Sequence, residues 1–184
     1  MRRVPVALVL ATLLAGCSAG GARPTAADAA PAAPADPIPL VHDPKGLAGT
    51  MPCALLTPAQ LVANRIDRPG QPEDVLGAPG CEWDDKAHTR EIRIFADIGT
   101  DVLHNIYAQR ATFPVFEVTQ VAGYPAIRTK NNAASTSCFF RVAAAQTQTL
   151  NLMFTSLREG LEEPCGPAKA LAEAVIANLP PLKG

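Results

Sequence analysis

The side chains in this chain that could do chemistry are few and scattered. There are three histidines: His42, His88 and His104. None falls in a metal spacing such as H-E-x-x-H, and the chain contains no G-x-S-x-G elbow. A Ser-His-Asp set is defined by geometry and not by order, so an envelope hydrolase stays a third reading. Asp84-Asp85 has the chemistry of a calcium site, but two carboxylates beside a turn are the ordinary make-up of a solvated hairpin tip. Tyr107, Phe113, Phe116 and Tyr124 cluster in sequence around one short helix and the strand after it. Core packing is the simplest role for them, and a candidate binding patch is the alternative if they are exposed. No catalytic residue and no metal ligand set is assigned, and the chain reads as non-enzymatic.

The fifth cysteine explains the other four. Arg2 and Arg3 precede an apolar run from Val4 to Leu14, and Ala15-Gly16 lead directly into Cys17. A charged start, a short apolar middle and a small-residue end make a secretory leader. The 11 residues of the run fall short of the about 20 that a spanning helix needs. Leu14-Ala15-Gly16-Cys17 resembles a bacterial lipobox, which implies cleavage after residue 16. It also implies a diacylglyceryl thioether on Cys17, with or without an N-acyl chain. No other cofactor is expected. The corresponding address is the outer face of a cell membrane, reached through the lipid.

With Cys17 assigned to lipid, Cys53, Cys81, Cys138 and Cys165 remain. An even number in an exported chain reads as two disulfides, with three connectivities open. Zinc sites bring their ligands in close pairs, and the nearest two here are 27 residues apart. Loss of the leader leaves 14 basic residues against 17 acidic ones, with no basic cluster. That balance excludes a nucleic-acid partner.

From Ser18 to Pro39 the chain is mostly Ala, Pro, Gly and Thr, with five prolines, no aromatic residue and a single Ile. Such a segment buries too little apolar surface to offset its ordering entropy and reads as a semi-flexible tether. Residues 17–47 are therefore assigned to the lipidated cysteine and tether, and 48–184 to one domain.

Within that domain, Thr57-Pro58-Ala59-Gln60 carries a capping box with proline at the first helical position. The helix is expected to bury Leu61, Val62 and Ile66. Cys81–Asp84 and Glu91–Ala96 alternate as half-buried strands. Asp101–Arg110 has Leu103, Ile106 and Tyr107 at helical spacing. Phe116–Val121, Tyr124–Thr129, Ser137–Ala144 and Thr147–Phe154 read as four further strands. Ala168, Leu171, Ala172, Val175 and Leu179 form the apolar stripe of a last helix. Runs of adjacent strands without βαβ alternation predict an α+β fold. We expect an antiparallel sheet of about five to six strands, packed by N-terminal, middle and C-terminal helices and braced by two disulfides. Cys53 and Cys165 each precede a terminal helix while Cys81 and Cys138 lie in strands, so the layout favours Cys53–Cys165 and Cys81–Cys138.

Pro52-Cys53-Ala54-Leu55-Leu56-Thr57, Cys81-Glu82-Trp83, the strand cysteine Cys138, and Cys165 leading to Ala177-Asn178-Leu179-Pro180 occur in this order behind the lipobox. Together they resemble an actinobacterial lipoprotein family known as domain of unknown function 3558, over about Met51 to Pro180. Members often carry an acidic residue before the Pro-Cys pair, where this chain has Met51. The resemblance implies an extracytoplasmic, membrane-anchored protein and brings no catalytic residues. The function expected is a non-catalytic binding or scaffold domain for an envelope protein or small apolar ligand. A carrier of lipid or another hydrophobic molecule is the alternative.

Overall fold

Period-two alternation, clearest at Arg90–Asp97 and Ser137–Val142, builds a sheet. The computed structural model describes residues 36–183. Cys17 and the lipobox lie outside these residues. Seven antiparallel strands are ordered β1-β2-β3-β7-β6-β5-β4: β1 Gln71–Val75, β2 Ala78–Asp84, β3 Arg90–Ile98, β4 Val115–Val121, β5 Tyr124–Lys130, β6 Ser137–Ala145 and β7 Gln148–Ser156. After β3 the chain crosses through α2 (Val102–Ala108) to the far edge. Three hairpins then step back until β7 lies against β3.

The expected α+β class holds, with seven strands where five to six were expected. The unexpected strand is β1, Gln-Pro-Glu-Asp-Val. Proline and two acidic residues argue against a strand in sequence, yet all three suit an edge, where one side of the ladder goes unpaired. A tight turn at Leu76-Gly77, both at positive φ, joins β1 to β2. The Asp74 carboxylate accepts the Gly77 N–H at 2.7 Å there.

The pleat sends alternate side chains to opposite faces. On one face Trp83, Ile92, Ile94, Phe140, Leu152 and Phe154 are buried. They lie under α3 (Cys165–Asn178), α1 (Pro58–Ala63) and the turn at Pro52–Ala54. The α3 stripe lands as its spacing requires, with Ala168, Leu171, Ala172 and Val175 fully buried. In α1 the capping box forms: Gln60 N–H donates to the Thr57 hydroxyl, and Thr57 N–H donates to the Gln60 side chain. Leu61 and Ile66 pack inward, but Val62 is 71% exposed. Val62 follows Leu61 directly and so lies about 100° further round the helix, off the face that packs inward.

The disulfides join Cys53 to Cys81 and Cys138 to Cys165, with Cα–Cα distances of 5.1 and 5.0 Å. This corrects the expected Cys53–Cys165 and Cys81–Cys138 pairs. Register gives the reason. Cys81 sits opposite Ile94 on β3, whereas Cys138 sits opposite Phe154 on β7 and so lines up with Ile92 and Trp83. The two strand cysteines share a face but are three strand spacings apart, about 14 Å. That is far beyond the about 7 Å limit for a disulfide. Each strand cysteine is bonded instead to the terminal segment lying over it.

The domain also begins earlier than residue 48. Residues 36–47 form a strap around the end of the sheet: Ile38 is buried on one face and Leu47 on the other. Lys45 N–H donates to the Ala144 carbonyl at 2.8 Å, and the buried Gln148 side chain accepts the N–H groups of Leu47 and Ala48 at 2.7 and 3.0 Å. Composition concealed this, because its two anchoring residues, Ile38 and Leu47, are nine positions apart.

Candidate functional site

The second sheet face is covered only in part. Helix α2 packs Leu103 on Ile127 and Ala143, with Ile106, Tyr107, Phe116 and Val118 around them. Asp101 caps the helix through the His104 N–H. Helix α2 reaches the Ala143 end of β6, and across β3, β7 and the Phe139–Arg141 part of β6 register sets out the residues in rows. Phe95, Asn151, Arg141 and Ile127 make one row, and Arg93, Met153, Phe139 and Thr129 the next. Phe95, Phe139 and Met153 are only half-buried.

Arg141 lies at the centre of this face. Its guanidinium is 5.7 Å from the Phe139 ring centre and 5.9 Å from that of Phe113, within range of cation–π attraction. One Nη donates to the Thr129 hydroxyl at 2.9 Å. Among the described residues no carboxylate forms an ion pair with it. Burial pulls its pKa below the ordinary arginine value, and the nearby charge of Asp97 opposes that shift. Asp97 itself accepts the Asn151 amide at 2.7 Å. A dimple of about 10 Å³ opens beside the guanidinium, lined by Phe95, Phe139, Arg141 and Asn151 among others.

Toward β1 the face turns acidic. Arg93 pairs with Glu82 at 2.6 Å and lies 3.0 Å from Glu91. Burial holds the Glu91 carboxyl above the usual carboxylate range against the pull of Arg93, and the charges of Glu82, Glu73 and Asp84 raise it further.

The aromatic patch is brought together for three of its four members. Tyr107 and Phe113 pack on Phe116 with ring centres 6.0 and 6.1 Å apart, and all three are half-buried. Tyr124 does not belong with them. It points to the opposite face, where it is buried and its hydroxyl donates to the Asp43 carbonyl at 2.7 Å. Parity explains this: Tyr124 and Ala126 face the main core, so Ile127 faces α2. Arg141, Phe139 and Phe95 escaped sequence reasoning. Their only signal was the alternation Ser137-Phe139-Arg141 against Cys138-Phe140-Val142, which gives each face of β6 its own ring.

Two of the three histidines have partners on both ring nitrogens. His104 is held by carboxylates on both ring nitrogens, Nδ1 to Asp101 at 2.8 Å and Nε2 to Asp36 at 3.0 Å. Hydrogen bonds to Asp101 and then Asp36 raise its pKa above the ordinary value. It thus clasps the start of the strap to α2. His88 lies between Asp84 and Arg68 at 3.1 and 3.0 Å, and His42 is exposed on the strap.

Asp84 ends β2 and Asp85 opens the turn after it, and both carboxylates have partners within the chain. Asp84 takes Arg68 at 2.9 Å, while Asp85 accepts the N–H and hydroxyl of Thr89 and the N–H of Arg90. Burial alone would raise the Asp85 pKa, but those hydrogen bonds outweigh it and the net shift is downward. Among the described residues no group of three or more His, Cys, Asp or Glu is placed to hold a metal ion. No described helix is long and apolar enough to cross a membrane. A wider cleft of about 420 Å³ lies where the strap meets Pro180–Lys183. Among the described residues, Lys183 is the only titratable one lining it.

The class defined by these features is a disulfide-braced antiparallel sheet, closed by helices on one face and covered in part by α2 on the other. Residues 12–178 match the family described as protein of unknown function (DUF3558), and the chain belongs to that family. No curated protein and no solved structure matches the chain.

Proposed function

We propose that this protein is a cell-envelope lipoprotein, anchored through Cys17 on the outer face of the cytoplasmic membrane, whose domain is a non-catalytic binding module. The observation that carries the reading is the open sheet face. Phe95, Phe139 and Met153 stand half-buried around Arg141, with Phe113 beside its guanidinium. Contiguous apolar surface rimmed by charge is how monomeric domains present recognition sites. Two disulfides support an oxidising compartment. The histidines support a non-catalytic role, since each ring nitrogen of His104 and His88 already has a partner. A shallow patch suits surface recognition better than the enclosed apolar cavity that a lipid carrier needs.

Photo-crosslinking in intact cells tests the reading. A crosslinking residue at Met153 on the open face should give adducts that the same residue at Glu173, exposed on α3, does not. Equal labelling at both positions would sink the assignment of this face. The anchor is tested separately: Cys17→Ala should move the protein out of the membrane fraction, and unchanged retention there would overturn the lipid.

A further inference from the structure

We propose that Arg141 is the centre of a surface site for a small organic monocarboxylate with an apolar body, a reading that rests on the open face being a binding surface. Two facts carry it. The guanidinium has five N–H donors, and one hydrogen bond, to Thr129, accounts for its only described polar partner. An arginine drawn partly out of water is ordinarily paired with a carboxylate. The other charges on this face are already engaged, Arg93 by Glu82 and Asp97 by Asn151.

The surroundings select the class of ligand. Phe113 and Phe139 lie against the guanidinium and fix the planar fork, the geometry that takes a carboxylate through two parallel hydrogen bonds. Arg141 is itself only half-buried, so part of the side chain meets solvent. The remaining charge nearby is acidic, from Asp97 close to Arg141 to Glu82 and Glu91 further along the face. One cation in that setting accommodates a single negative charge and repels a dianion. The dimple of about 10 Å³ takes only a small group, so the body of the ligand must lie over Phe95 and the half-buried apolar row.

The test uses the full chain carrying Cys17→Ala, so that no attached lipid competes. Sodium octanoate, octanol and inorganic phosphate are titrated separately, reading by NMR the Phe139 backbone N–H resonance, which every variant keeps. Octanoate should give a saturable shift that Arg141→Lys weakens at least tenfold and Arg141→Met abolishes. Octanol and phosphate should leave the resonance in place. Octanol binding as tightly, or octanoate binding unchanged in Arg141→Met, overturns the site. Phosphate binding as tightly as octanoate overturns the monocarboxylate assignment. If Arg141→Met does not fold, Phe113→Ala should still weaken octanoate several-fold, and no change there counts against the proposal. Face-selective crosslinks in cells without octanoate binding would remove the carboxylate and leave the binding face. Octanoate binding without such crosslinks would remove the partner reading alone.

Discussion

Replacing both partners of one disulfide measures how much of this fold depends on covalent closure. The Cys138–Cys165 bond closes a segment with a sequence separation of 27, and Cys53–Cys81 one of 28. In the chain-entropy relation a loop of this size is worth about 3.6 kcal/mol at 25 °C. Loss of either should lower the melting temperature by about 7–14 °C for a domain of this size. Equal loops predict nearly equal losses, and packing breaks the tie. Cys138 and Cys165 are both buried, whereas Cys53 is half-buried, so Cys138→Ala with Cys165→Ala should be the more destabilising pair. Urea unfolding followed by the fluorescence of Trp83, the single tryptophan, reads all variants.

The decisive variant is the mixed one, Cys53→Ala with Cys165→Ala. It breaks both bonds and strands Cys81 and Cys138 in strands too far apart to pair, so it should lose about 7 kcal/mol, the sum for two independent loops. Were the cross-linked pairs Cys53–Cys165 and Cys81–Cys138, the same variant would lose one bond only. A mixed variant no less stable than either matched pair refutes the connectivity. Losses below about 1 kcal/mol in both matched pairs refute the entropic account.

Three further perturbations test the packing and the clasp. A Cβ on Gly70 would sit 2.5 Å from Trp83 Nε1 and 2.6 Å from Cys81 Sγ. Gly70→Ala should therefore cost about 1–3 kcal/mol and shift the Trp83 emission; an unchanged urea midpoint would show that the contact relaxes freely. Gln148→Ala leaves the buried Leu47 N–H without its acceptor and should cost about 1–3 kcal/mol; a loss under about 0.5 kcal/mol would mean that water takes over the bond. The His104 pKa is raised in the folded protein, so its stabilising effect is complete below the unfolded value of about 6.5 and fades as pH rises through the folded value. In an NMR titration its midpoint should lie above about 6.5 and fall in Asp36→Asn. A midpoint at or below that value refutes the clasp.

Much of the scaffold was legible because local rules and tertiary packing agree. The Thr57–Gln60 capping box, the alternation of Glu91–Ala96 and the Ala168–Leu179 stripe each state their element and its buried face. What stayed hidden depends on lateral order. Strand order puts β3 and β7 between Cys81 and Cys138, and no local pattern reveals that the chain after α2 restarts at the far edge. The same gap concealed the candidate site. Arg141 and Phe95 lie 46 positions apart, and only the β3–β7–β6 register sets them in one row. Tyr124 was misplaced for a related reason, since strand parity and not proximity in sequence decides which face a ring takes.

The pairing of β3 with β7 has a consequence for how the molecule assembles. Strands β1 to β3 and strands β4 to β7 are two meanders, each closing through short turns and each containing one strand cysteine bonded to its own flanking segment. The line between them joins residues such as Ile94 and Leu152, 58 positions apart, and neither disulfide crosses it. Local hairpins close quickly, while a contact of that span waits on a larger loop-closure entropy. The two half-sheets should therefore form first and zip along β3–β7 last.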